Sequence, residues 1–215
     1  MNTLTDELMA TINRRCRNSL LLLLILFLIL SYFLSMVFQP TPMVWLFLGL
    51  FGLPWLCVTI TLIISTRRFL RWQNQSNHPL SKAVERYGNT REIFASINAH
   101  GGEVLRFGDI MLTPSWIIYN KSLDVVALPV EEVLWVYECT NHEFGAPPFS
   151  TWIFTRDGQA NRFTLWPVKA KEFISALSKR ASWIFTGHDA QLENRWKNDR
   201  QSLIGEVDSR RGRKQ

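Results

Sequence analysis

Charged side chains are missing from residues 18–66, and histidine is missing from the same run. The run is interrupted once, at Gln39-Pro40-Thr41-Pro42, which leaves apolar stretches at residues 19–38 and 43–65. About 20 apolar residues in a helix cover a hydrocarbon core roughly 30 Å thick, so each stretch is long enough to span. Ion and proton pathways usually need ionisable groups inside the membrane, and their absence argues against a pump or transporter acting alone. We therefore expect a two-helix transmembrane hairpin that serves as an anchor.

Cysteine is scarce, and the three residues Cys16, Cys57 and Cys139 predict no disulfide framework. The four histidines are scattered, and none has another histidine three or four positions away, as a metal site on a helix would need. They are expected on the surface or in loops: His78, His100, His142 and His188. Phosphate loops, Gly-x-Ser-x-Gly elbows and kinase signatures are also missing. These absences predict a protein that is not an enzyme, with no catalytic, metal or cofactor site and no evident small-molecule substrate.

Charge gives little further indication of chemistry. Glu131 and Glu132 are adjacent acids, but neighbouring positions of a strand point to opposite faces, so they are not expected to act on one substrate atom. The net charge of +6 is a mild excess, without a nucleic-acid-binding motif or a dense basic stripe. Anionic lipid headgroups are the simplest counter-charge, and no nucleic-acid partner is expected.

Arginine clusters flank the uncharged run on both sides. Because the two prolines at residues 39–42 cannot continue a helix, the short turn should make the spans antiparallel, with both termini on one side. The positive-inside rule then places both termini in the cytoplasm. The predicted contacts with the membrane surface are Arg14, Arg15, Arg17, Arg67, Arg68, Arg71 and Trp72.

Pro54 lies inside the second predicted span, with Gly49 and Gly52 close by. A proline removes one helical hydrogen bond and kinks the helix. This feature has two interpretations, a hinge or packing notch, or the ordinary enrichment of glycine and proline in membrane helices.

The rest of the chain has the size of one water-soluble domain. Residues 66–77 form a polar connector, and helical patterns follow at 78–87 and 89–99. Gly88 is expected to cap the first helix, and Asn89 with Glu92 forms a capping box for the second. From Glu103 the period changes to two, in short runs rich in Val, Ile and aromatic residues. The predicted strands are 104–107, 110–112, 116–119, 125–128, 133–138, 151–155 and 162–166, with an Asp157-Gly158 hairpin between the last two.

Helical pattern returns at 168–181, then an extended piece at 183–185 and a single final helix at 189–210. Successive strands followed by helices indicate an α+β domain. One strongly bent sheet of six or seven strands, closed at one end by a helix, resembles the pleckstrin-homology-like (PH-like) architecture. We expect a cytoplasmic N-terminal segment at 1–18, this domain at 78–188, and a C-terminal helix with a basic tail at 189–215. The single apolar stripe of the last helix permits packing on the domain or on another chain.

Three motifs carry a family resemblance. They are Leu112-Thr113-Pro114-Ser115-Trp116-Ile117-Ile118, then Val130-Glu131-Glu132-Val133-Leu134-Trp135-Val136-Tyr137, and then Thr155-Arg156-Asp157-Gly158. Over roughly residues 78–182 the chain resembles uncharacterised bacterial membrane proteins with a transmembrane hairpin and a PH-like cytoplasmic domain. The resemblance implies a fold and an inner-membrane location, and no activity comes with it.

Two features are candidates for binding. The first is an aromatic set, which is expected to be mostly core but whose exposed members would mark a partner site: Trp116, Trp135, Tyr137, Trp152 and Trp166. The second is the long hairpin connection at 140–150, which is either a plain loop or a partner loop. Its candidate contacts are Phe144, Pro147, Pro148 and Phe149.

Two functions from different classes follow. The first is a non-enzymatic, membrane-anchored interaction module that presents a PH-like domain at the cytoplasmic face and contacts the lipid bilayer and a protein partner or a second copy of itself. The second is a structural or accessory subunit of a larger membrane complex, in which the hairpin packs against other helices.

Overall fold

A computed structural model describes residues 3–37, 51–99, 103–121, 124–139 and 149–212. The chain divides into two compact units, Met1–Lys82 and Ala83–Gln215. The first unit holds helices α1 (Leu4–Val37) and α2 (Leu53–Trp72), a 3₁₀ turn at Gln75–Asn77 and the start of helix α3 (Pro79–Glu85). The second holds the remainder of the chain, including every described strand.

Helices α1 and α2 are antiparallel and are both long and apolar enough to cross a membrane. The Phe33 and Phe51 rings stack with centroids 5.8 Å apart, and the Trp55 indole N–H donates to Ser31 Oγ at 2.8 Å. Their other apolar side chains are largely exposed. The prediction of two candidate spans is confirmed in helix length and composition. The turn at 39–42 and most of the start of the second span lie outside the described residues. The α-helical part of α2 begins at Leu53, directly after π-helical Phe51 and Gly52, so Pro54 lies beside a change of helix type.

Helix α1 begins well before the uncharged run, which the sequence pattern does not indicate. Residues 4–17 continue the same helix, and Thr5, Leu8, Ile12 and Cys16 are buried along one side at spacings of three and four. His78, Leu80 and Ser81 are buried in the same unit. Most of the N-terminal segment expected at 1–18 is thus helical and continuous with the first apolar helix, and it carries an apolar stripe of its own.

The second unit contains two four-stranded sheets. In the first, β1 (Leu105–Phe107), β2 (Ile110–Leu112), β3 (Trp116–Lys121) and β4 (Asp124–Pro129) form an antiparallel meander. In the second, β5 (Val133–Cys139), β6 (Ser150–Thr155) and β7 (Ala160–Thr164) are antiparallel, and β8 (Phe185–Thr186) joins β5 in parallel. The α+β class is confirmed, but the expectation of one antiparallel sheet is wrong, because the second sheet is separate and mixed.

One apolar core joins the two sheets to helix α5 (Pro167–Arg180). Phe173 and Leu177 of α5 are fully buried with Phe163 of β7 and Ile117 of β3. Helix α4 (Thr90–Ala99) begins as predicted, because the Asn89 side chain accepts from the Arg91 N–H at 3.0 Å and donates to Glu92 at 3.2 Å. Burial of these side chains accounts for the short strands and for the position of α5.

Helices α6 (Ala190–Asn198) and α7 (Arg200–Gly212) replace the single predicted C-terminal helix, which is wrong. Asp199 leaves helical geometry at φ −143° and ψ 55°, and its carboxylate accepts from the Ser202 N–H at 3.4 Å. Leu192 of α6 and Leu203 and Val207 of α7 are buried against the β5–β6 side of the second sheet, where Trp135, Tyr137 and Phe154 lie. The final helices therefore pack on their own domain.

Two glycines, one in the β6–β7 turn and one inside α7, are expected to respond to alanine substitution with opposite changes in stability. Gly158 has φ +85°, which costs an L-residue about 1–2 kcal/mol. Gly205 lies inside α7 with open space where a methyl group would sit, and alanine is favoured there by about 1 kcal/mol. We expect Gly158→Ala to lower and Gly205→Ala to raise the free energy of unfolding, measured by urea-dependent pulse proteolysis of the full-length protein in detergent. Equal shifts of one sign would contradict this assignment.

Candidate functional site

The predicted membrane-surface residues lie together at one end of the α1–α2 pair. Because the two helices are antiparallel, the arginines at 14, 15 and 17 of α1 and at 67, 68 and 71 of α2 share that end. All of them except Arg15 are exposed, and Arg15 is half-buried. The Arg68 guanidinium lies 5.9 Å from the centre of the Trp72 ring. This arrangement gives a compact basic cluster beside an amphipathic aromatic ring.

The predicted partner loop is described only at its end. Phe144, Pro147 and Pro148 lie outside the described residues, while Phe149 is described with φ +72° and 37% exposure. A positive φ is uncommon and strained for a bulky side chain, and strained residues cluster at functional sites. The Phe149 carbonyl accepts from the Leu165 N–H at 3.1 Å, which fixes the backbone there.

Phe149 and Trp166 form an exposed aromatic pair with ring centroids 5.5 Å apart. Trp166 is 73% exposed, and Lys121 and Lys169 line the adjoining cavity of about 380 Å³. We call these four residues the aromatic edge. Trp166 immediately precedes Pro167, the first residue of α5, so its backbone is held extended and cannot turn inward with the helix.

The aromatic set divides into core and exposed members, as expected. Trp116, Trp135 and Tyr137 are buried, Trp152 is half-buried, and Trp166 is exposed. The predicted strand at 162–166 ends at Thr164, so Trp166 does not belong to the period-two pattern of β7.

A second cavity, of about 490 Å³, lies among α4, the β2–β3 turn and the segment between β4 and β5. We call it the acidic pocket, because Glu92, Glu131 and Glu132 line it against one cation, Arg211. The expectation that Glu131 and Glu132 are directed apart is wrong. They lie on a 3₁₀ turn, Val130–Glu132, and not on a strand, so both reach the same pocket.

The electrostatics of the acidic pocket are unusual for a surface. Burial raises the pKa of Tyr87 to about 12. Burial also raises the pKa of Glu132, opposed by the charges of Arg156 and Arg211 and assisted by those of Glu131 and Asp157. The Arg211 guanidinium lies 3.3 Å from a Glu131 carboxylate oxygen and 5.2 Å from the Trp183 ring centre. No hydrogen bond among the described residues joins these carboxylates to the Tyr87 or Ser115 hydroxyl. The arrangement suits binding of a ligand better than activation of a nucleophile.

The histidines and cysteines give no further site within the described parts of the chain. No group of three or more His, Cys, Asp or Glu side chains there could hold a metal ion. His188 is exposed, and His78 lies in the bend before α3, as expected for surface or loop histidines. His78 is nevertheless 1% exposed, and its Nδ1 accepts from the Leu80 N–H at 3.2 Å. His100 and His142 lie outside the described residues.

No protein-family model matches the chain, and neither a curated protein nor a solved structure matches it significantly. Function is therefore inferred from the two cavities, the basic cluster and the apolar helices themselves.

Proposed function

We propose that the protein is a non-enzymatic, membrane-anchored interaction module that presents a PH-like domain at the cytoplasmic face of a bacterial inner membrane. The aromatic edge would contact a protein partner, and the basic cluster would contact anionic lipid headgroups. Exposure of the Phe149–Trp166 pair is the observation that carries the proposal.

The strand order supports a PH-like domain. A meander of four strands, a meander of three and then helix α5 across the shared core fit the architecture that the sequence resembles. The parallel strand β8 and helices α6 and α7 are additions that cover the outer side of the second sheet.

The first unit supports the anchor. Its two helices expose many large apolar side chains. Exposure of such a surface to water is unfavourable, whereas lipid chains can cover it. The arginines at one end would set the orientation by the positive-inside rule and meet the negative surface of the cytoplasmic leaflet.

The aromatic edge has the composition of a protein contact. Tryptophan dominates interface hot spots, and a tryptophan left 73% exposed beside a conformationally strained phenylalanine gives little stability to the domain itself. Lys121 and Lys169 border the pair with apolar stems and charged heads, as rim residues do.

Site-specific photocrosslinking in the native membrane tests this proposal. We expect benzoylphenylalanine at Trp166 to form one defined protein adduct, and the same probe at Leu105, which is 41% exposed in the same domain, to form none. Phe149 packs against position 166 and belongs to the same expected contact. Because truncation of an interface hot-spot residue costs about 2 kcal/mol or more, Phe149→Ala should reduce the adduct severalfold. Absence of any protein adduct at position 166 would contradict the proposal.

The accessory-subunit function remains the second candidate, favoured by the exposed apolar face of α1. Benzoylphenylalanine at Ile25, which is 54% exposed, distinguishes the two. A stoichiometric protein adduct at Ile25 without one at Trp166 would favour a subunit held through its helices.

A further inference from the structure

The acidic pocket has no role in the proposed contact at the aromatic edge, and its chemistry indicates a specific occupant. We infer that it binds a short peptide segment of a protein partner through a lysine or arginine side chain. This inference rests on the proposed function only in taking the occupant from a protein partner.

The charge of the pocket is the first reason. Glu92, Glu131 and Glu132 face the pocket, and Arg211 alone opposes them among its lining residues. Among the described residues, Glu132 makes no side-chain hydrogen bond or ion pair. The charges of Arg156 and Arg211 act on this carboxylate, but neither guanidinium forms an ion pair with it, and burial still raises its pKa, so a ligand that brings a cation into direct contact would stabilise it.

The neighbouring cations compensate this carboxylate only in part, because their guanidinium groups are bound to other acceptors. Arg156 holds both carboxylate oxygens of Asp208, and Arg86 donates to Gln159 at 2.7 Å. The pocket therefore keeps an excess of negative charge.

The pocket already receives one guanidinium, and the way it does so is the second reason. Arg211 lies between the Glu131 carboxylate and the face of the Trp183 ring. A carboxylate on one side and an indole on the other is a favourable site for an arginine or lysine head. Trp116 and Glu132 line the same pocket, with the Trp116 ring buried against Tyr87 at a centroid distance of 5.7 Å.

The walls of the pocket and their polar atoms are the third reason. Ile93, Pro114, Pro129 and Val130 are apolar and can pack against the aliphatic stem of a long cationic side chain. Three lining residues carry buried polar atoms without a hydrogen-bond partner: Tyr87 Oη, Ser115 Oγ and Trp183 Nε1. These atoms are shielded from water, so a peptide main chain would reach them only after small side-chain movements, and it then supplies both carbonyl acceptors and N–H donors. The volume of about 490 Å³ lies within the range of ligand pockets, about 300–1,000 Å³.

The test uses the full-length protein in nanodiscs of neutral phosphatidylcholine, so that basic peptides do not bind the lipid. The probes are dye-labelled, acetylated heptapeptide pools with a fixed central lysine or arginine and matched pools with central glutamine or glutamate. Binding is followed by fluorescence polarisation. We expect the cationic pools to bind at least tenfold more tightly than the glutamate pool.

Matched charge variants locate the binding. Glu132→Gln and Glu92→Gln should weaken binding of the lysine pool at least fivefold, whereas Glu103→Gln, an exposed acid outside the pocket, should leave it unchanged. Arg211→Gln should strengthen binding twofold or more, since it frees Glu131. Misfolding would weaken binding in every variant. It therefore cannot explain weaker binding in the two glutamate variants together with tighter binding in Arg211→Gln.

Several outcomes would overturn the inference. They are equal affinity for lysine and glutamate pools, an unchanged affinity in Glu132→Gln, or equal loss in Glu103→Gln. Binding of lysine amide as tight as that of the lysine heptapeptides would make the pocket an amine site and not a peptide site. Binding only after removal of residues 213–215 would make the chain's own basic tail the occupant. Since crosslinking at Trp166 is measured separately, failure here leaves the proposed function standing.

Discussion

Replacing Trp135 by alanine is expected to lower the free energy of unfolding of the second unit by about 3–5 kcal/mol, the range for large buried aromatic side chains. Trp135 is 0% exposed and stacks on Phe154 with ring centroids 4.5 Å apart. Its indole N–H also donates to the Gly187 carbonyl at 2.7 Å, so the truncation removes packing and leaves an acceptor unpaired.

The matched control for this change is Trp166→Ala, which removes the same side chain from an exposed position. We expect it to change stability by no more than about 0.5 kcal/mol. Urea-dependent pulse proteolysis of the full-length protein in detergent compares the two. Trp135→Phe should lie between them, because it keeps the stacking and loses the hydrogen bond. Similar losses for Trp135→Ala and Trp166→Ala would contradict the described burial.

Acidification is expected to loosen the first unit through His78. Burial lowers the pKa of His78 from 6.5 to about 4 in the folded chain. Because the folded pKa is depressed, folding favours the neutral ring. The stabilisation is complete above pH 6.5 and is lost as the pH falls from 6.5 towards 4. The loss is about 2 kcal/mol at pH 5 and on the order of 3 kcal/mol at pH 4.

Two measurements check the His78 prediction. Histidine NMR of the ¹³C-labelled protein should show the His78 ring neutral at pH 5. Protection of the buried Cys16 thiol from a maleimide, normalised to glutathione at each pH, should fall about 20-fold to 30-fold between pH 7.5 and 5. His78→Gln, whose amide oxygen can still accept from Leu80, should lose this dependence, whereas His188→Gln should keep it. An acid response that His78→Gln leaves unchanged would refute the assignment.

Sequence patterns predict the strands of this protein better than its sites. The run at Ile110–Leu112 predicts a strand with the observed bounds. Turn residues on both sides of this short apolar run fix where the strand begins and ends. The helix cap at Asn89 and the hairpin at Asp157-Gly158 are local too, and both are confirmed, although Glu92 accepts from the Asn89 side chain and not from its main chain as in a full capping box. Such signals depend only on neighbours along the chain.

The features that the sequence does not predict depend on distant contacts. His78 is buried with its ring near the main chain of Met9, a contact between distant residues that no local pattern reveals. The acidic pocket combines Glu92, Glu132 and Arg211 from three separate elements. One missed signal is local: Asn198-Asp199 followed by Ser202 is a helix start inside an apparently continuous stripe.

The unbroken course of α1 has a mechanical consequence. Its 34 residues make a rod about 50 Å long at 1.5 Å per residue, and a hydrocarbon layer accounts for about 30 Å of that length. When the apolar part lies in a bilayer, the remaining turns extend beyond it as the same continuous helix, without a break at the interface. A change of membrane thickness that tilts the span would therefore move the buried side chains Leu8 and Ile12 together with it.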